Sequence, residues 1–130
     1  MSDSVFDASA PLAVIRKEPG AEVVLRALGA GRAFISTVNV VEVLSILNDR
    51  GMSYEDSVYA LAELELIAVP LAETTARRAA SIRPGTRALG LGLADRVCLA
   101  LGIEMALPVL TGDRAWSRAD LPIQLKFIRP

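Results

Sequence analysis

Short stretches suited to strands alternate with longer stretches suited to helices along this chain. That alternation limits its possible folds more than any other feature. SDSVF (2–6), RAFIS (32–36), IAVP (67–70), LPVLT (107–111) and IQLKFI (123–128) are expected as strands. DASAPLAVIRK, AEVVLRALGAG, TVNVVEVLSILNDRG, SYEDSVYALAELEL, AETTARRAASI and LADRVCLALGIEMA are expected as helices. Strands joined through helices pair in parallel, and a parallel sheet is covered on both faces. The punctuation agrees with this division. Asp7 or Ser9 suits the cap of the first helix, and Pro11 its first turn. EPG (18–20) breaks the chain, and Gly29, Gly31 and Gly51 close helices. Ser53 opens a helix with Glu55 and Asp56 in its first turn, where the dipole favours acids. RPGTRALGLG (83–92) is expected as a loop, and GDRAWSRAD as a turn with a short helix. The 130 residues suit one domain, 1–130. In such sheets, ligands bind beyond the carboxyl ends of the strands, where the strand order reverses.

Composition removes several kinds of chemistry. The chain has no histidine, which excludes Ser-His-Asp and Cys-His catalysis and imidazole-bound zinc. The single cysteine, Cys98, has no partner for an internal disulfide and suits a small buried hydrophobe. The N-terminal segment lacks the basic start and long apolar core of a signal peptide, and no apolar run is long enough for a membrane span. A soluble cytoplasmic protein is expected. Hydrophobic residues make up 52% of the chain, so some apolar surface is expected to meet a partner. The net charge of -1 offers no general attraction for nucleic acid, which would need a local basic patch.

Fifteen acids occur, most in ordinary solvated settings such as Glu18, Asp49, Glu55, Asp56 and Glu63. Four stand apart. Asp7 follows the first strand in VFDASA, and Asp113 follows the fourth in VLTGDRAW. If those strands are neighbours, both carboxylates emerge at one crevice. Glu42 has Val38, Asn39, Ser45 and Ile46 at helical spacing, and Asp95 has Leu91, Gly92, Cys98 and Leu99. Neither set contains a cation to form a surface pair. Asn39, Glu42 and Ser45 mark a polar stripe on an otherwise apolar helix. Taken singly, each acid has a structural explanation: a cap, a turn, a helix start or a snorkelling side chain. One shared site explains all four. Clustered carboxylates need cations, and an all-oxygen set without His or Cys selects Mg²⁺ or Mn²⁺.

VFDASA, NVVEVL, GLGLADRVCLALG and LPVLTGDRAW, in this order and spacing, resemble the PIN-domain ribonucleases. They resemble most the VapC-type toxins of bacterial toxin–antitoxin pairs. The resemblance spans essentially the whole chain. It implies a three-layer α/β/α domain with a five-strand parallel sheet in the order 3-2-1-4-5. It places the family's acidic quartet on Asp7, Glu42, Asp95 and Asp113, with Ser9 and Thr111 at supporting hydroxyl positions. It further implies a homodimer and a small VapB-type antitoxin whose C-terminal segment covers the active-site groove.

The implied reaction is metal-dependent hydrolysis of an RNA phosphodiester. Asp7, Asp95 and Asp113 would hold one or two Mg²⁺ or Mn²⁺, with Glu42 orienting water or completing a second site. Arg16, Lys17, Arg87, Arg96, Arg114 and Arg118 are the rim cations available to RNA, with Arg83 and Arg87 in a loop that is the best candidate for a mobile contact. Trp116 is either a base-stacking platform or a core aromatic. Two other function classes compete. An HAD-like phosphatase wants a second Asp two residues after the first, where this chain has Ser9. A receiver domain wants paired acids and a late Lys, but the only lysines are Lys17 and Lys126. A non-catalytic PIN-like module binding RNA or protein is the remaining alternative, and an intact quartet argues against it.

Overall fold

The computed structural model describes residues 1–130. Five strands run β1 (Ser4–Phe6), β2 (Ala33–Ser36), β3 (Ile67–Val69), β4 (Val109–Thr111) and β5 (Leu125–Phe127). Seven helices accompany them: α1 (Ser9–Ile15), α2 (Ala21–Ala30), α3 (Thr37–Asp49), α4 (Tyr54–Ala62), α5 (Glu73–Ser81), α6 (Arg83–Thr86) and α7 (Leu93–Met105). All strand pairs are parallel and the sheet order is β3-β2-β1-β4-β5, as expected. Val5 stands in register with Phe34 on one side and Val109 on the other, so β1 lies at the centre. The chain leaves β1 toward β2 and returns later to β4, which puts the reversal of strand order at β1 and β4.

Two-residue alternation divides the core. Val5, Phe34 and Val109 point to the face packed by Leu99, Cys98 and Trp116. Phe6, Ala33, Leu110 and Ile128 point to the opposite face, against Ala10 and Ala13 of α1 and Val24 of α2. Burial of each large apolar side chain stabilises the fold by about 1.5–3 kcal/mol. The inner strands β1, β2 and β4 are wholly buried, whereas Ile67 and Ala68 on edge strand β3 are exposed. α7 is buried continuously from Val97 to Gly102, the stretch of the helix that is apolar all round.

Local signals explain the boundaries. Ser36 accepts from the Val38 N–H at 3.2 Å to start α3, and Ser53 accepts from the Asp56 N–H at 3.1 Å to start α4. Gly20 opens α2 with φ 99°, and a Cβ there would lie 2.6 Å from the Ile128 carbonyl oxygen. One expectation is corrected: residues 83–90 are not a loop. They form α6 and then a 3₁₀ turn, Arg87–Leu89. Pro84 is compatible with a helix's first turn, Thr86 Oγ1 donates to the Ile82 carbonyl, and Arg83 Nη1 donates to the Leu91 carbonyl. No helix is long and apolar enough to cross a membrane.

Candidate active site

Asp7 leaves the carboxyl end of β1 with its N–H still bonded to the Leu110 carbonyl of β4, at 3.1 Å. Its side chain is 6% exposed and both oxygens are engaged. Oδ1 accepts from Ser9 Oγ at 2.6 Å and from the Ala10 N–H at 3.2 Å. Oδ2 accepts from Thr111 Oγ1 at 2.5 Å. The same hydroxyls hold the turn after β4: Ser9 Oγ accepts from the Gly112 N–H at 2.8 Å, and Thr111 Oγ1 from the Asp113 N–H at 3.0 Å. Asp7 therefore makes a helix-start contact and anchors the β1–β4 crevice at once.

The other acids arrive on three different elements. Glu42 projects from α3, half-buried, and its Oε1 accepts from Asn39 Nδ2 at 3.2 Å. Asp95 sits in the first turn of α7, where Oδ2 accepts from the Gly92 N–H at 3.1 Å. Asp113 lies on the exposed turn after β4, and its Oδ1 accepts from the Ala115 N–H at 3.0 Å. In each of these three acids the second oxygen has no protein partner. The stripe on α3 divides: Ser45 donates back to the Val41 carbonyl and faces solvent, whereas Asn39 is buried.

The carboxylates feel one another. Burial pushes Asp7 up from 3.8 to about 6, against the pull of Ser9 and Thr111, and the charge on Asp95 adds to the rise. Burial also raises Glu42, with Asp95 adding to it. Asp95 is raised by burial and further by Asp113. The Cys98 thiol is raised by its burial and then by Asp7, Asp95 and Glu42, which places it behind the same three acids. None of the four acids forms an ion pair; the ion pairs of the molecule are Arg16–Glu18, Arg32–Asp3, Arg77–Glu73 and Arg78–Glu104.

This donor set fits a hard divalent cation. It is all oxygen, anionic, partly buried and in no ion pair with Arg or Lys. No three of the chain's Cys, Asp or Glu side chains stand close enough together in this structure to hold a metal ion between them. Mg²⁺ typically keeps several waters and takes only one or two carboxylates directly, which suits acids spread along an open crevice.

The cations behave differently from one another. Arg96 donates to the Ala79 carbonyl at 3.0 Å and ties α7 to α5, and Arg83 is held by Leu91. Arg16 is paired with Glu18. Lys17, Arg87 and Arg118 are exposed. Arg114 lies over the Phe127 ring, 4.5 Å from its centroid, beside Asp113. Trp116 is fully buried in the core, which removes it as a base-stacking platform. Sequence reasoning passed over Arg129, which donates to the Pro19 carbonyl at 2.9 Å. Its guanidinium lies against Gly112, where a Cβ would sit 2.6 Å from Nη2. Its one available signal was its position just after a strand, on the carboxyl edge of the sheet.

A family model described as "PIN domain" matches residues 4–121. Among solved structures, a chain of DNA-bound VapBC from Salmonella typhimurium superposes with a TM-score of 0.77 at 17% identity, covering 98% of this chain and 99% of that one. A chain of VapBC2 from Rickettsia felis, bound to a promoter DNA fragment, gives 0.76 at 14% identity, covering 96% and 98%. A chain of VapBC-5 from Mycobacterium tuberculosis, a member of the VapBC family of toxin–antitoxin systems, gives 0.66 at 20% identity, with both chains covered fully. At these identities the similarity is one of fold. No curated protein sequence matches the chain significantly.

Proposed function

The chain belongs to the PIN-domain family, and from that membership we propose that it is a metal-dependent endoribonuclease, the VapC-type toxin of a toxin–antitoxin pair. One observation carries the reading. Asp7, Glu42, Asp95 and Asp113 come from four separate elements to the carboxyl edge of the sheet, burial and neighbouring acids raise the proton affinity of Asp7, Glu42 and Asp95, and none of the four is held in an ion pair.

Mg²⁺ or Mn²⁺ held by Asp7, Asp95 and Asp113, with Glu42 beside them, would supply Lewis acidity and a more acidic water at neutral pH. The protein's own groups do the rest. Ser9 and Thr111 fix both oxygens of Asp7, so that this carboxylate needs little reordering. The free oxygen of Glu42 orients a water for in-line attack on phosphorus. The new O–P bond forms as the P–O3′ bond breaks, and the departing 3′ oxygen takes a proton. The products are a 5′-phosphate and a 3′-hydroxyl. Arg114 and Arg129, beside the β4 turn, and exposed Arg87 would meet the RNA backbone, whereas Arg96 is committed to Ala79.

Partner binding belongs to the same proposal. An apolar groove between α3, α4 and the sheet, about 210 Å³ in volume, is lined by residues including Val40, Leu44, Val58 and Leu61. Exposed Val41 and Tyr54 line a neighbouring hollow that shares Leu44 with it. This surface suits a VapB-type antitoxin or a second copy in a homodimer. A cytoplasmic location and one domain over residues 1–130 belong to the same proposal.

The test is RNA cleavage with Mn²⁺, with EDTA, and with Asp7→Asn, followed by sequencing of new 5′-phosphate ends. Cleavage that survives EDTA or the substitution sinks the metal mechanism. Absence of cleavage on any cellular RNA favours a binding module instead.

A further inference from the structure

The amide of Asn39 has no evident role in stability and an evident one in the site. Asn39 lies on α3 and is 1% exposed. Its Nδ2 carries two protons and uses both: one reaches Glu42 Oε1 at 3.2 Å, the other the Ala94 carbonyl at 3.3 Å. Both partners are acceptors, so rotating the amide would oppose oxygen to oxygen, and the chemistry fixes its orientation. Ala94 immediately precedes Asp95. One side chain thus ties the α3 acid to the first turn of α7, which carries another.

The two bonds are not ones the fold requires. The Ala94 carbonyl lies within α7 and has an intrahelical donor four residues on. Glu42 is only half-buried and remains open to water. On the other side of the amide, Asn39 Oδ1 is buried with no hydrogen-bond partner. An enclosed, unsatisfied acceptor lowers stability. An apolar residue here would lose two replaceable bonds and remove one orphaned oxygen.

We propose that Asn39 is a positioning residue that holds Glu42 and the Asp95 turn in one geometry for divalent-metal binding and water orientation. The inference rests on the nuclease reading above. It assigns Asn39 no contact with substrate.

The test compares the parent chain with Asn39→Ala and Asn39→Ser. It uses calorimetric Mn²⁺ titration without RNA, RNA cleavage kinetics, and melting in EDTA. For Asn39→Ala, Mn²⁺ affinity and kcat should each fall about 10–100-fold, as for other groups that orient metal ligands. KM for RNA and the melting temperature in EDTA should hold. Asn39→Ser keeps one donor and should fall between parent and Asn39→Ala. Parent-like Mn²⁺ affinity in Asn39→Ala overturns the proposal. So does a lowered melting temperature in EDTA or a failure to fold, either of which would make the amide structural. A parent that binds Mn²⁺ but cuts no RNA sinks the nuclease reading alone, because the calorimetric comparison still decides the role of Asn39.

Discussion

At the scale of the residue, Asp7 opposes stability to activity. Its folded pKa of about 6 lies above its ordinary 3.8. The folded state therefore holds the proton more tightly than the unfolded chain does. The associated stabilisation is complete below 3.8 and is lost as pH rises through 6, the reverse of an acid in an ion pair. With the carboxyl almost fully buried, the gap corresponds to about 3 kcal/mol at neutral pH, an upper bound for the metal-free protein. Asp7→Asn removes the charge but leaves an oxygen for Ser9 and Ala10. In EDTA at pH 8 the variant should therefore melt higher than the parent. The advantage should shrink to nothing by about pH 4, while RNA cleavage is abolished throughout. A variant less stable than the parent at pH 8 would refute this account of the buried charge. Asp95→Asn should also abolish cleavage. It should leave the melting temperature within about 2 °C, since an Asn oxygen still accepts from Gly92 and surface-type changes seldom exceed ~0.5 kcal/mol. These acids were legible in the sequence because the helical neighbours of Glu42 and Asp95 hold no cation. Arg96 and Trp116 were not. The partner of Arg96 is a backbone carbonyl seventeen residues away, and a lone aromatic after a turn carries no sign of its burial.

At the scale of the element, legibility followed periodicity. β1, β2 and β4 are short apolar runs buried on both faces, and α3 and α7 are long enough for a helical pattern to stand out. Four-residue α6 has no room for a pattern, and its Pro84-Gly85 pair suggests a loop. What holds it is tertiary: the Arg83–Leu91 and Thr86–Ile82 bonds. The depth of α7 was similarly hidden. Gly102 allows this helix to settle against β4, for a Cβ there would lie 2.5 Å from Val109 Cγ2 and 2.6 Å from Ile123 Cδ1. Alanine gains up to about 1 kcal/mol of helix propensity but loses about 1–3 kcal/mol to overpacking. Ile123 has a flexible end that can yield, whereas Val109 is fixed in the buried strand. Gly102→Ala should therefore destabilise the fold by about 1 kcal/mol in denaturant melts. A stabilised variant would show that α7 has slack. Because α7 carries Asp95 at its other end, the same variant should lower Mn²⁺ affinity only slightly. A pronounced loss would mean that the helix moves as a rigid rod.

At the scale of the whole molecule, the sheet gathers charges that the isolated elements could not hold together. β1 and β4 bring Asp7 and Asp113 to one edge, while α3 and α7 add Glu42 and Asp95. Without a counter-ion this convergence is a strain on the fold; with one it becomes a binding site, so metal and stability should be linked. Mn²⁺ at a hundred times its dissociation constant contributes about 2.7 kcal/mol, which for a chain of this length raises the melting temperature on the order of 10 °C. Protons compete for the same oxygens. At pH 8 Asp7 is ionised and metal binds without displacing a proton, whereas at pH 5 it is mostly protonated, since its pKa is about 6. Affinity should then fall by roughly tenfold, and more if Asp95 and Glu42, also raised, take up protons too. At a fixed Mn²⁺ concentration, the shift in melting temperature should thus be large at pH 8, about half as large or less at pH 5, and absent in Asp7→Asn. Differential scanning fluorimetry at the two pH values settles it. An equal shift at both, or one that persists in Asp7→Asn, would place the metal away from the crevice and leave the quartet without its cation.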